Sequence, residues 1–146
     1  MKNIEDGIAV YIRLAKWEET SAITHFFNER IDLHHDGVTS GELRCPDGVA
    51  AAIRRKQLLV AVIGLRLAGA LRFYPRKGSE RLSLYQFAVA EPFRGQHLLR
   101  QMLDTFAPHP IESACPIQSS FNGYYEHNGW KLEGSSATRN RWVLYV

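Results

Sequence analysis

The chain's 146 residues, 45% hydrophobic and 23% charged, supply apolar material for one packed core, and the charge content is too ordinary for a disordered chain. Its longest nearly apolar stretch, Leu58 to Leu65, breaks at Arg66, short of the roughly 18 residues of a membrane helix, and Glu5 and Asp6 stand where a secretion signal is apolar. Eighteen basic against fifteen acidic residues give +3, a mild lean toward anionic ligands and far below the charge concentration typical of nucleic-acid binding. The expectation is a single domain over residues 1–146, in the cytoplasm, with neither a nucleic-acid nor a membrane partner. Cys45 and Cys115 each lack a second cysteine nearby, which argues against a zinc-knuckle spacing or a disulfide framework and for reduced thiols.

In chain order, Ile8, Val10, Ile12 and Leu14 alternate with Ala9, Tyr11 and Arg13, the period of a strand with one face on a core. From about Lys16 to Arg30 the pairs Ala22/Phe26 and Ile23/Phe27 recur at helical spacing, with Trp17 expected to pack one turn earlier. Ile31 to Pro46 is loop chemistry, rich in His, Asp, Gly and Ser, and Asp47 then caps a short helix that runs through Lys56. Leu58 to Ile63 and Leu67 to Tyr74 read as a hairpin across Gly64-Leu65-Arg66, and Arg81 to Ala90 as a further strand. After a turn at Glu91 to Gly95, Leu98, Leu99, Met102, Leu103 and Phe106 form an amphipathic helix that Pro108 and Pro110 stop. Ile111 to Cys115 is a short strand and Ser119 to Asn128 a short helix closed by Gly129. Trp130 to Glu133 and Arg141 to Val146 are the two closing strands. Helices and strands alternate only in the second half, so the fold class is a mixed α/β sheet rather than a doubly wound one.

The junction from Leu84 to Phe106 carries the chemistry. A helix opening directly after a buried strand aims unpaired backbone N–H groups and the positive end of its dipole beyond the strand, a setting that suits pyrophosphate. Arg94 adds a cation, Gly95 a residue without a side chain, and Gln96, His97, Leu98 and Leu99 the first amides. By itself such a turn is common.

The run Phe87-Ala-Val89-Ala-Glu91-Pro-Phe93-Arg-Gly95-Gln-His97-Leu-Leu99 resembles the acyl-CoA motif of the GCN5-related N-acetyltransferase (GNAT) superfamily, in which Val-x-x-Pro or Val-x-Pro leads into Arg-Gly-x-Gly-x-Gly/Ala. About 35 positions later, Tyr124-Tyr-Glu126-His-Asn128-Gly-Trp130 resembles the superfamily's second motif, Tyr-Glu-Lys-x-Gly-Phe. His97 and Leu99 depart from the pattern, standing where it has Gly and Gly or Ala. Gly is used at such a place because it lacks a Cβ where backbone meets phosphate; His97 is expected to hydrogen-bond a phosphate oxygen, and Leu99 to turn into the core.

The resemblance implies a mixed, mostly antiparallel central sheet flanked by helices, and an enzyme using acetyl-CoA as cosubstrate. It places the pantetheine arm between the strands ending near Val89 and Cys115. Backbone groups of Phe87 and Val89 would pair with that arm, the amides from Gln96 to Leu99 would hold the pyrophosphate, Arg94 and Arg100 would add charge, and Gln118 would replace an Asn that many members use on the cofactor. The implied reaction is direct acetyl transfer, in a ternary complex, to a primary amine of a small molecule or peptide. A homodimer is among the expectations, and no metal is expected, because the His-x-Asp spacing of His34 and Asp36 has no identifiable third ligand.

An alkyl amine with a pKa near 10.4 costs about 4.6 kcal/mol to neutralise at pH 7, and a departing thiolate costs roughly 2 kcal/mol. Tyr125, four residues before Gly129 as in the motif, is the candidate general acid, with Tyr124 its less favoured neighbour. For the base, Leu82 to Ala90 offers no carboxylate, leaving Glu112, His34, His35, Asp36 or water. The competing readings are a catalytically inactive protein of the same fold that binds CoA or another ligand, and a basic nucleic-acid-binding domain.

Overall fold

Alternation of apolar residues builds most of the sheet, and the helices cover it where their apolar stripes meet it. The computed structural model describes residues 2–4, 8–30 and 46–146. Strands β1 (Lys2–Ile4) and β2 (Ile8–Leu14) are followed by a 3-10 turn at Trp17–Glu19, then α1 (Thr20–Asn28) and α2 (Pro46–Arg54). Next come the hairpin β3 (Leu58–Ile63) and β4 (Arg66–Pro75), then β5 (Leu82–Val89) and α3 (Leu98–Asp104). The chain closes with β6 (Ile111–Pro116), α4 (Phe121–His127), β7 (Lys131–Ser135) and β8 (Arg139–Leu144).

The described strands form one eight-stranded sheet in the order β1-β2-β3-β4-β5-β6-β8-β7. Every pairing is antiparallel except β5 with β6, so the expected mixed, mostly antiparallel sheet is what the chain forms. Its two faces carry separate cores. Ile23, Phe26 and Phe27 of α1 and Val49, Ala52 and Ile53 of α2 pack with Leu58, Val60, Ala70 and Ala88 on one face. On the other, Leu98, Leu99, Met102 and Leu103 of α3 and Tyr125 of α4 pack with Leu71, Leu84, Ile111, Cys115 and Trp142. Gly69 lets β4 and α3 approach: a Cβ there would lie 3.0 Å from Met102 Sδ.

Two expectations for the first helix change. It opens as a 3-10 turn held by Glu19, whose Oε1 accepts from the Lys16 amide at 2.7 Å, and Trp17 is 52% exposed rather than packed. Glu19 also takes both terminal nitrogens of Arg13 at 2.8 Å, which ties the 3-10 turn to β2 in place of a buried aromatic. Strand β1 carries no sequence signal of its own and forms by pairing with β2. The second helix ends at Arg54, and Lys56, with φ 59°, turns the chain into β3.

Candidate active site

The two central parallel strands diverge almost as soon as they meet. Pairing of β5 with β6 among the described residues is confined to Leu82 with Ile111 and Ser83 with Glu112, reinforced by the Leu82 amide donating to the Pro110 carbonyl at 2.9 Å. Beyond that point β5 remains bonded to β4 and β6 to β8, so a wedge opens between them toward Val89 and Pro116. Tyr85 is an extra residue in β5, since Arg72 pairs with Gln86 and Phe73 with Leu84, and such a bulge increases the local twist that swings β5 away. The Ala90 amide bonds Ala68 of the β4 side. Alternation of backbone polar groups then turns Phe87 and Val89 toward the wedge.

The side chains around the wedge divide by face. From the α4 side, Tyr124 lies 6.2 Å from Phe87, ring centre to ring centre, and Phe121 lies 5.5 Å from Phe87. Burial raises the Tyr124 phenol above its ordinary range, an effect that the Arg100 cation partly opposes. Tyr125 is 4% exposed, packed edge-on to Trp130 and stacked on Trp142. Its hydroxyl meets Ser113 Oγ of β6 at 2.8 Å, one residue beyond the last β5–β6 pair. The phenol therefore sits at the root of the wedge.

At the mouth, Gly95 and His97 both take positive φ, 75° and 60°, and His97 is the N-cap of α3. Positive φ is costly for a residue with a Cβ, so His97 occupies a conformation suited to the glycine it replaces. Leu99 is buried in the core, as expected, leaving only its backbone toward the turn. Arg94 is folded back: its Nε donates to the Val89 carbonyl at 3.0 Å. Gln96 donates to the Pro92 carbonyl, and Arg100 pairs with Asp104 at 3.0 Å. Gln118 is exposed in the turn after β6. The neighbour that organises this turn is Asn122. It donates to the carbonyls of Pro116 and Ser119 and accepts from Trp142 Nε1 and Asn140.

Glu112 is removed as a base. Its carboxylate is buried at the closed end of the wedge, 2.7 Å from Arg76, 3.3 Å from Arg81 and 3.5 Å from Arg141. Its oxygens are taken up by three guanidiniums on the sheet face opposite the Tyr125 hydroxyl, so the carboxylate is not directed at the wedge. His34, His35 and Asp36 lie outside the described residues. Among the described residues no group of three or more His, Cys, Asp or Glu is placed to hold a metal. No described helix is long and apolar enough to cross a membrane.

A sheet whose central parallel pair splays after two residues, with a bulge in the first strand and a helix opening at its end, is a specific architecture. It aligns with the structure of PaiA N-acetyltransferase from Thermoplasma acidophilum in complex with coenzyme A at TM-score 0.77, covering 95% of this chain and 100% of that one at 14% identity. The chain carries the GNAT fold. A GNAT-family acetyltransferase from Listeria monocytogenes aligns at TM-score 0.72 and 16% identity, with 97% of both chains covered. Diaminobutyrate acetyltransferase EctA from Paenibacillus lautus, in complex with L-2,4-diaminobutyric acid and coenzyme A, aligns at 0.64 and 15%, covering 95% and 96%. No protein-family model matches the sequence, and no curated protein matches it either. The likeness lies in the backbone path, which these GNAT-fold proteins share at low identity.

Proposed function

We propose that the chain is an N-acetyltransferase that moves an acetyl group from acetyl-CoA to a primary amine by direct transfer in a ternary complex. The observation that carries this reading is the wedge. It offers the outward backbone edge of Phe87 and Val89, with a phenol at its root and left-handed turns at its mouth, in a fold whose neighbours include structures with coenzyme A. The residues fit such a group: an unpaired strand edge needs a partner for its amides and carbonyls, and the pantetheine arm is an amide chain. Successive amides from Gln96 to Leu99, with positive φ at Gly95 and His97, would suit phosphate oxygens. The Arg94 side chain must leave the Val89 carbonyl for an arm to pair there.

Acetyl-CoA supplies an activated acyl carbon and a leaving thiolate. The chain's own part is to polarise the carbonyl through the Phe87 amide, exclude water with Phe87, Phe121 and Tyr124, and return a proton to the sulfur. We assign that proton to Tyr125, whose hydroxyl is held by Ser113 Oγ at 2.8 Å. The amine gives its proton to solvent or to a group outside the described residues, since β5 has no carboxylate and Glu112 is engaged at the closed end.

Calorimetry with acetyl-CoA, followed by thiol release over a panel of amines, tests the reading. Binding in the micromolar to millimolar range with amine-dependent thiol release is expected, and absence of binding at millimolar concentration would sink it. Tyr125→Phe should lower turnover by about 100-fold with cofactor affinity retained; unchanged turnover rejects Tyr125 as the acid. A second reading, ligand binding without turnover, is favoured by His97 at a glycine position and by Arg94 on the Val89 carbonyl. Its signature is acetyl-CoA binding with no thiol release for any amine.

A further inference from the structure

The Tyr125 phenol is held at two places by one rung of the sheet. Ser113 of β6 and Trp142 of β8 stand directly opposite each other, so their side chains leave the same face. Ser113 Oγ meets the phenol hydroxyl at 2.8 Å, and the Trp142 indole stacks on the phenol ring, centroids 5.8 Å apart and planes 21° from parallel. This rung fixes the phenol only as well as the indole is itself fixed. A buried indole has one polar atom, a donor, and here it donates to Asn122 Oδ1 at 3.0 Å.

Both ends of the Asn122 amide are engaged. Its oxygen also accepts from Asn140 Nδ2 at 3.0 Å, and its nitrogen shares two hydrogens among the carbonyls of Pro116, Ile117 and Ser119, at 2.9, 3.1 and 2.8 Å. An indole N–H can only donate and a carbonyl only accept, so one orientation of the amide satisfies the site. The side chain joins β8, the open end of β6 and the turn that starts α4, three residues before Tyr125 and on the same side of that helix. We propose that Asn122 is a positioning residue for proton delivery: it fixes the Trp142 indole and the entry of α4, and through them the Tyr125 hydroxyl at the root of the wedge. The assignment rests on the acetyl-transfer reading with Tyr125 as the acid. A group displaced by about 1 Å from its reacting geometry can lose about 100-fold in rate, so the hold on the ring matters where the proton goes to the leaving sulfur.

The test is a double-mutant cycle on kcat and KM, measured by thiol release at saturating acetyl-CoA with an amine that the wild type accepts. Asn122→Ala should lower kcat at least about tenfold, with KM for the amine and calorimetric acetyl-CoA affinity retained. In the Tyr125→Phe background the same substitution should change kcat less than about twofold, because residues acting through one group are not additive. A merely structural asparagine lowers kcat by the same factor in both backgrounds, and that result overturns the proposal, as does an unchanged kcat or a loss confined to KM or affinity. Trp142→Phe asks the same question should Asn122→Ala fail to fold, since it keeps a ring beside Tyr125 and removes the N–H that Asn122 receives. Its loss of kcat should likewise vanish in the Tyr125→Phe background, and an equal loss in both overturns the proposal. Tyr125→Phe without effect on kcat rejects the acid and the positioning role together, while amine-dependent thiol release leaves acetyl transfer standing. No thiol release by the wild type with any amine overturns the acetyl-transfer reading and the positioning role with it.

Discussion

At its closed end, the β5–β6 pair is fastened by charge; at its open end, it is lined by rings. Glu112 and Ser113 are consecutive in β6, yet they serve opposite faces. Glu112 is buried under Arg76, Arg81 and Arg141, and Ser113 turns to the Tyr125 hydroxyl among Trp130 and Trp142. Two pairs of ladder residues hold little by themselves, so the arginine cluster is what sets where the strands stop diverging. The difference teaches that a gap in a sheet requires a clamp beside it: the polar investment goes where the strands must stay together, and apolar surface where something else is to enter.

The largest effect is expected from undoing that clamp. Glu112→Gln leaves three guanidiniums facing a neutral amide and should cost about 3 kcal/mol, the cost typical of breaking a buried ion pair. Urea unfolding reads it directly, and a loss below about 1 kcal/mol would mean that the strands are held without the carboxylate. At the open end, Ser113→Ala withdraws the hydroxyl from Tyr125 and should cost about 1 kcal/mol of stability, with turnover falling at unchanged acetyl-CoA affinity. If turnover and affinity instead fall together, Ser113 shapes the wedge rather than holding the phenol.

At the mouth, the expected sign reverses. His97 sits at φ 60°, and His97→Gly relieves a left-handed strain for a gain of about 0.5–1 kcal/mol, reduced by the extra freedom glycine has when unfolded. The glycine variant should also bind acetyl-CoA more tightly. His97→Ala separates the two contributions, since it removes the imidazole and keeps the strain; tighter binding by alanine as well would implicate the ring, not the backbone.

How much of this was legible beforehand depends on how local each feature is. The alternation in Ile8 to Leu14 and the spacing of Leu98, Leu99, Met102 and Leu103 gave their elements directly, because each period is set within one strand or helix. The two motifs pointed to the wedge, with Tyr125 at its root. What was not legible depends on contacts across long separations in sequence. Glu112 read as a candidate base because nothing local announces arginines at 76, 81 and 141, and they converge only once β8 inserts between β6 and β7. Ser113 and Asn122 went unnoticed for the same reason. One signal was available: a polar residue at an inward position, Ser113 between Ile111 and Cys115, requires a partner in the core.

The smallest effect comes from an ion pair that is only part-buried, which calibrates the clamp. Arg13 and Glu19 are joined twice at 2.8 Å, yet both side chains keep part of their surface in water, so solvent screening limits Glu19→Gln to less than about 1 kcal/mol. The hydrogen bonds from Arg13 hold the Glu19 carboxyl below its ordinary range, with burial opposing and the Lys16 amide adding to the effect. A depressed folded-state value means that the unfolded chain binds the proton first as pH falls. The stabilisation is therefore complete above the unfolded value of about 4.3 and is lost as pH drops through the lower folded value. Unfolding curves of wild type and Glu19→Gln should accordingly run parallel from neutral pH down to about 5 and converge below 4. If the gap widens in acid, Glu19 acts through its packing against the 3-10 turn rather than through its charge, and burial is not what separates this pair from the clamp at Glu112.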